Sequence, residues 1–508
     1  MAQAREADRD KEITRRTFGW VLGGLALTGG SRLSALPSRP RLTVLIVLDQ
    51  FRPDYLEAVS DRLVAGGLRR LLDNGAWFPD CRHRASTFTS TALATLATGA
   101  WPSLHGIVAD SWYDRAARRV VRASDEALLA GTLAAQMAAA PGTRVFVAGM
   151  DAPDVRLFAG TAAAQLIWMD ENGQFAARGQ TPDWLVAYNR QKPLDNLHDA
   201  KWMAVAARSG APPLRTLTYN PFRQGDFVSL YKASPFAQMA QFELLAELVS
   251  RAHLGQEETT DLACLLLGST AWLGYDTGAS SPLMQQMTLH LDRHLEFLFS
   301  ELDRTLGPDA FNVVFTAAHG AATAPPQESR ARMSVSGEQL AQSIQRGLGS
   351  GGPRVEKYVY PFLYLDAGPG RDTETVRLTA ARAALSLPAV ADYYTAGGAC
   401  PVTGEWAGRF RNSFHVPRSG DVMLSYRPGY VEDFGAGRGI SYGSLYNYDA
   451  SVPLCFYGPQ FRSQTFAHTV ESVDLAPTLA FALGVGLPSS AIGRTLGEAF
   501  SENVKSNK

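Results

Sequence analysis

Leu42-Thr43-Val44-Leu45-Ile46-Val47-Leu48 is an almost continuous apolar run that stops at Asp49. A stretch this short suits a strand, and a strand without polar alternation is covered on both faces, as in parallel sheets. Similar runs lie at 145–148, 262–267, 313–316 and 452–457. Helical patterns separate them at 91–98, 236–254 and 284–306, the last with Leu289, Leu291, Leu295 and Leu298 at helix-like spacing. Alternating strands and helices predict an α/β fold with a doubly wound, mainly parallel sheet. Ligands in such sheets sit beyond the carboxyl ends of the strands. Those ends carry Asp49, the 268–278 loop, Ala318-His319-Gly320, and the 442–449 loop before the last run.

The 111–231 stretch is richer in Trp, Asn, Gln and Asp, and its periodicity is weaker. It reads as a cap insertion, as does the Gly- and Pro-rich 323–410 stretch, both within an α/β domain at 41–500. Residues 501–508 form a polar tail. The formal charge of −1 and the absence of a basic run in the body of the chain argue against a nucleic-acid partner.

Residues 1–40 read as an address and linker. Thr14-Arg15-Arg16-Thr17-Phe18 precedes a glycine-rich apolar stretch of about a dozen residues, and Leu33-Ser34-Ala35 offers small residues for cleavage. This predicts a twin-arginine export signal and a periplasmic protein with no transmembrane segment once cleaved. The alternative is an uncleaved anchor in the inner membrane, although ~20 apolar residues are needed to span a bilayer. Cys81, Cys264, Cys400 and Cys455 lack metal-site spacing, and a disulfide is compatible with export but not readable as a pairing.

Four segments occur together and in order. They are Leu48-Asp49-Gln50-Phe51-Arg52-Pro53-Asp54-Tyr55; Thr87-Phe88-Thr89 through Thr98-Gly99 to His105-Gly106-Ile107; Phe315-Thr316-Ala317-Ala318-His319-Gly320; and Tyr446-Asn447-Tyr448-Asp449 through Val452-Pro453 to Phe456-Tyr457-Gly458. The set resembles the alkaline phosphatase superfamily, in its type I phosphodiesterase / nucleotide pyrophosphatase and phosphate-irrepressible alkaline phosphatase branch. That resemblance implies two zinc ions held by Asp and His around a Thr or Ser nucleophile. One ion lowers the pKa of the attacking hydroxyl and the other neutralises the leaving oxygen.

On this resemblance Asp49 matches the first metal-ligand Asp, Thr89 the nucleophile and His319 a ligand His. Thr89 lies at the start of a predicted helix, where N–H groups and the helix dipole favour an anion, although an N-cap threonine fills the same place without catalysis. The other implied ligands are missing. The Asp-x-x-x-His pair falls on Ala271 and Tyr275, the Asp of an Asp-His pair on Ala318, and the last His on Tyr442. Asp110 stands where the family has a phosphate-binding Asn, and a carboxylate there repels phosphate. The family's Lys-x-Arg pair falls near Met150-Asp151-Ala152, with Arg156 in reach only in a shifted register.

The expectation is a pseudo-phosphohydrolase with a binding role, its ligand an unidentified small molecule or protein. No cofactor is firmly implied, and at most one divalent metal. The alternative is an altered phosphate mono- or diester hydrolase in which Asp49, Asp110 and His319 hold a single cation beside Thr89.

Overall fold

The computed structural model describes residues 40–322, 333–349, 352–433 and 442–502. The export signal predicted at the N-terminus and the polar tail beyond residue 502 lie outside them. The strand Leu42–Leu48 is buried along its whole length, as are its two neighbours, Asp261–Leu267 and Phe311–Ala317. Both pair with it in parallel, and in register Leu48 lies opposite Leu267 on one side and Ala317 on the other. Three strands therefore end level, which brings Asp49, Gly268 and Ala318 to one edge. Val145–Gly149 joins in parallel on the far side of Asp261–Leu267, with Gly149 opposite Leu266, so Met150 and Asp151 emerge at the same edge.

Ser451–Tyr457 departs from the expected direction. It is as apolar as its neighbours but pairs antiparallel with Phe311–Ala317 and with Ala76–Arg82. Coverage on both faces makes a strand apolar whichever way it runs, so hydropathy does not encode direction. Its reversal feeds the loop ending at Ala450 into the site from the same edge. Ala76–Arg82, with Arg82 opposite Ser451, delivers the chain to Thr89 there as well. Among the described residues the sheet has ten strands and remains mainly parallel at its centre.

The segment at 111–231 is not simply a cap. Val145–Gly149, Gln165–Met169 and Phe175–Ala177 extend the main sheet, while the hairpins Ser111–Asp114 with Arg119–Arg122 and Ala200–Trp202 with Arg215–Leu217 stand outside it. Aromatic and polar residues around these strands mask their periodicity. The later insertion builds a separate four-stranded antiparallel sheet whose strands span Arg354–Val359 to Val422–Tyr426, past the 410 boundary. It has its own core, including Phe362, Leu363, Tyr364 and Val422. All four cysteines are free. Among the described residues no helix is long and apolar enough to cross a membrane.

Candidate functional site

Thr89 opens the helix Thr89–Thr98, whose N-cap residue Phe88 offers no side-chain cap. The first N–H groups of such a helix need acceptors. Ser90 N–H finds one in Asp110 Oδ1 at 2.9 Å. Asp110 thus supplies, from inside the chain, the negative charge that a helix N-terminus attracts.

Asp49, Thr89 and His319 come together as a compact group. Thr89 Oγ1 is 2.9 Å from His319 Nε2 and 3.4 Å from both carboxylate oxygens of Asp49. His319 Nε2 is also 2.9 Å from Asp49 Oδ1, while its Nδ1 lies 2.7 Å from the carbonyl of Gly320. Nδ1 therefore carries a proton, and the contact with Asp49 favours a second one on Nε2. Burial alone would lower the His319 pKa, but the charge and hydrogen bond of Asp49, then the charge of Asp449, outweigh it and raise the value. A proton on Nε2 removes the lone pair with which His319 would activate Thr89. Next to Asp49, Gln50 is fully buried with φ at 53°, a left-handed conformation uncommon outside glycine and often found at functional sites.

The donor set does not suit two zinc ions. Ala271 and Ala318 are buried and carry no donor atom. Tyr442 stacks flat on His319, with ring centroids 5.1 Å apart and 8° between planes, and Tyr275 lies against Tyr442 at 5.9 Å. The Tyr442 hydroxyl faces Tyr275 and Asp110, and that of Tyr275 faces Tyr442 and Gln50. Burial first, then the neighbouring carboxylate charges, hold both phenols far above their ordinary pKa, so they stay neutral. Zinc needs three or four Asp, His or Cys donors converging on one point. Among the described residues no three such groups are placed to hold a metal ion.

Asp49, Thr89, Asp110, Ala271, Tyr275, Ala318 and Tyr442 all line one cavity of about 370 Å³, with His319 buried behind it. Behind the far wall, against its residues Asp151 and Trp272, stands a cation that sequence reasoning did not assign. Lys232, at the end of the helix Gln224–Lys232, is buried and places Nζ 3.0 Å from Asp151 Oδ1 and 5.1 Å from the centre of the Trp272 ring. It neutralises Asp151 at the segment where the Lys-x-Arg pair was sought, from a part of the chain that no local pattern connects to Asp151. Arg156 points out to solvent.

Four further histidines are held by neighbours away from the cavity. His83 bonds Ser472 Oγ at 2.9 Å, His105 lies 3.2 Å from Thr95 Oγ1, His290 bonds the Met203 carbonyl, and His294 bonds Gln238. Burial, with smaller effects from nearby positive groups, pushes His83, His105 and His294 down to about 3, so they are neutral. Asp276 is paired with Arg215, away from the cavity.

A doubly wound sheet with Asp49 and Thr89 presented at its carboxyl edge defines an alkaline-phosphatase-like protein. The crystal structure of alkaline phosphatase PafA superposes with a TM-score of 0.80 at 21% identity, covering 91% of this chain and 99% of that one. The chain belongs to the type I phosphodiesterase / nucleotide pyrophosphatase family, whose profile matches residues 43–438. Relatives include alkaline phosphatase PafA of Elizabethkingia meningoseptica, 22% identical over 547 residues covering 94% of this chain and 98% of PafA. Alkaline phosphatase PhoK of a Sphingomonas species is 28% identical, with 90% and 91% covered.

Proposed function

We propose that this chain is an exported pseudo-phosphohydrolase: it keeps the family's fold and strand-edge cavity but uses the cavity to bind rather than to hydrolyse. The carrying observation is that Tyr442 lies stacked on His319 while Asp110 takes the Ser90 N–H at the helix start. An aromatic ring covers one residual ligand, and a built-in carboxylate occupies the place of a substrate anion. The Thr14–Phe18 pattern and the apolar stretch behind it support export.

The alternative, a single cation among Asp49, Asp110 and His319 with Thr89 as nucleophile, draws on the 2.9 Å contact between Thr89 and His319. Against it, Asp110 is engaged by Ser90 and Tyr442, and His319 by Asp49.

Phosphate binding and ester hydrolysis, measured on the same protein, test the proposal. The expected result is no zinc-stimulated hydrolysis of aryl phosphate mono- or diesters and no saturable binding of inorganic phosphate. Asp110→Asn, by removing the internal anion, is expected to tighten phosphate binding by about tenfold or more, an effect near 1.4 kcal/mol. Zinc-stimulated turnover that disappears in Thr89→Ala would overturn the proposal in favour of the altered hydrolase.

A further inference from the structure

Two residues of the cavity wall already hold one ammonium group on their far side. Lys232 is held by a carboxylate, Asp151, and by the face of an indole, Trp272. That pair of contacts is the general recipe for recognising an organic cation. Lys232 offsets Asp151, and Asp49 is in contact with His319.

Among the described residues, two lining carboxylates make no ion pair. Asp110 accepts from Ser90 N–H and faces Tyr442, both uncharged. Among the described residues the Asp154 side chain makes no hydrogen bond or ion pair; it is half-buried and lines the cavity. Arg122 also lines the cavity, but its side chain is largely exposed and paired with Asp125. Burial, then the charges of Asp151, Asp49 and Asp110, hold the Asp154 carboxyl well above the usual carboxylate range, as happens where carboxylates are crowded without enough positive charge. Tyr275 and Tyr442 line the same space with neutral aromatic surface. A volume of about 370 Å³ suits a small molecule. Phosphate and other anions meet the Asp110 carboxylate there, the Asp154 carboxyl gives up its proton only where a positive charge stands beside it, and a bare metal ion finds no convergent donor set among the described residues.

We infer that the cavity binds a small organic cation, a quaternary or primary ammonium compound of roughly the size of choline. Asp110 and Asp154 answer its charge, and the rings of Trp272, Tyr275 and Tyr442 cover its carbon atoms. The inference rests on the reading that this site no longer works as a two-metal centre.

The test titrates choline into the full protein, following tryptophan fluorescence and heat. Its neutral carbon isostere, 3,3-dimethylbutan-1-ol, and calcium chloride serve as comparisons. Choline is expected to saturate and to bind at least about tenfold more tightly than the isostere. Asp154→Asn is expected to weaken choline by at least about tenfold with an unchanged urea midpoint, and Tyr275→Leu to weaken it as well, which guards against a single misfolded variant. Equal binding of choline and isostere, no saturation by choline, or stoichiometric calcium binding that excludes choline would each overturn the inference. Zinc content on the same preparation separates the failures. Zinc-free protein indifferent to choline refutes the cation site alone, whereas zinc-replete, hydrolytically active protein refutes the reading beneath it.

Discussion

A protein carrying Ala271→Asp, Tyr275→His, Ala318→Asp and Tyr442→His together is expected to take up close to two zinc ions per chain, against fewer than one in the parent. Ala271 and Tyr275 sit one turn apart on the helix Ser269–Thr277, so both new ligands share a face. Ala318 follows the strand end beside Asp49, and Tyr442 lies on His319. Without metal the variant suffers, because positions 271 and 318 are almost wholly enclosed and a buried unpaired charge costs about 3–5 kcal/mol. Zinc should more than repay that, since the apparent binding energy of a closed zinc site is about 10–16 kcal/mol. Thermal unfolding should show a variant less stable than the parent in chelator and recovering strongly in zinc. A variant indifferent to zinc would show that these four positions do not converge as ligand sites.

The second large effect concerns the pair that stands at the residual ligands. Asp49→Asn leaves the buried His319 without its counter-charge, and breaking a buried pair is expected to cost about 3 kcal/mol at pH 6. The sign with pH follows from the direction of the shift. The folded-state pKa of His319 is raised, so the pair's stabilisation is fully present below the unfolded value of about 6.5 and is lost as pH rises through the folded value. The gap in urea midpoint between parent and Asp49→Asn should therefore be large at pH 6 and shrink by pH 9. A histidine bound to zinc carries no proton on its ligating nitrogen and gives the opposite trend, because metal binding strengthens with pH. A gap that widens toward pH 9 would contradict the charged pair.

Much of this was readable before any coordinates. Five apolar runs became strands of one sheet, and the halting of Leu42–Leu48 at Asp49 located the functional edge, because burial on both faces is written residue by residue along a strand. What escaped depends on pairing between distant segments. The reversed direction of Ser451–Tyr457 and the entry of Gln165–Met169 and Phe175–Ala177 into the main sheet follow from register with neighbours, which hydropathy does not record. At the site, the residues suggested by resemblance do gather on one cavity, but two parts of its chemistry were hidden. Asp110 was read as a group that repels phosphate, and its bond to Ser90 adds that it satisfies the helix start itself. Lys232 meets Asp151 across 81 positions of sequence, a separation over which no local motif operates.

The central claim is that the side chains lining this cavity no longer hold the family's metals, and zinc content tests it most directly. Protein purified from its native compartment, incubated with excess zinc and passed through a desalting column, should retain fewer than one zinc ion per chain by elemental analysis. Two tightly retained zinc ions per chain would contradict the account.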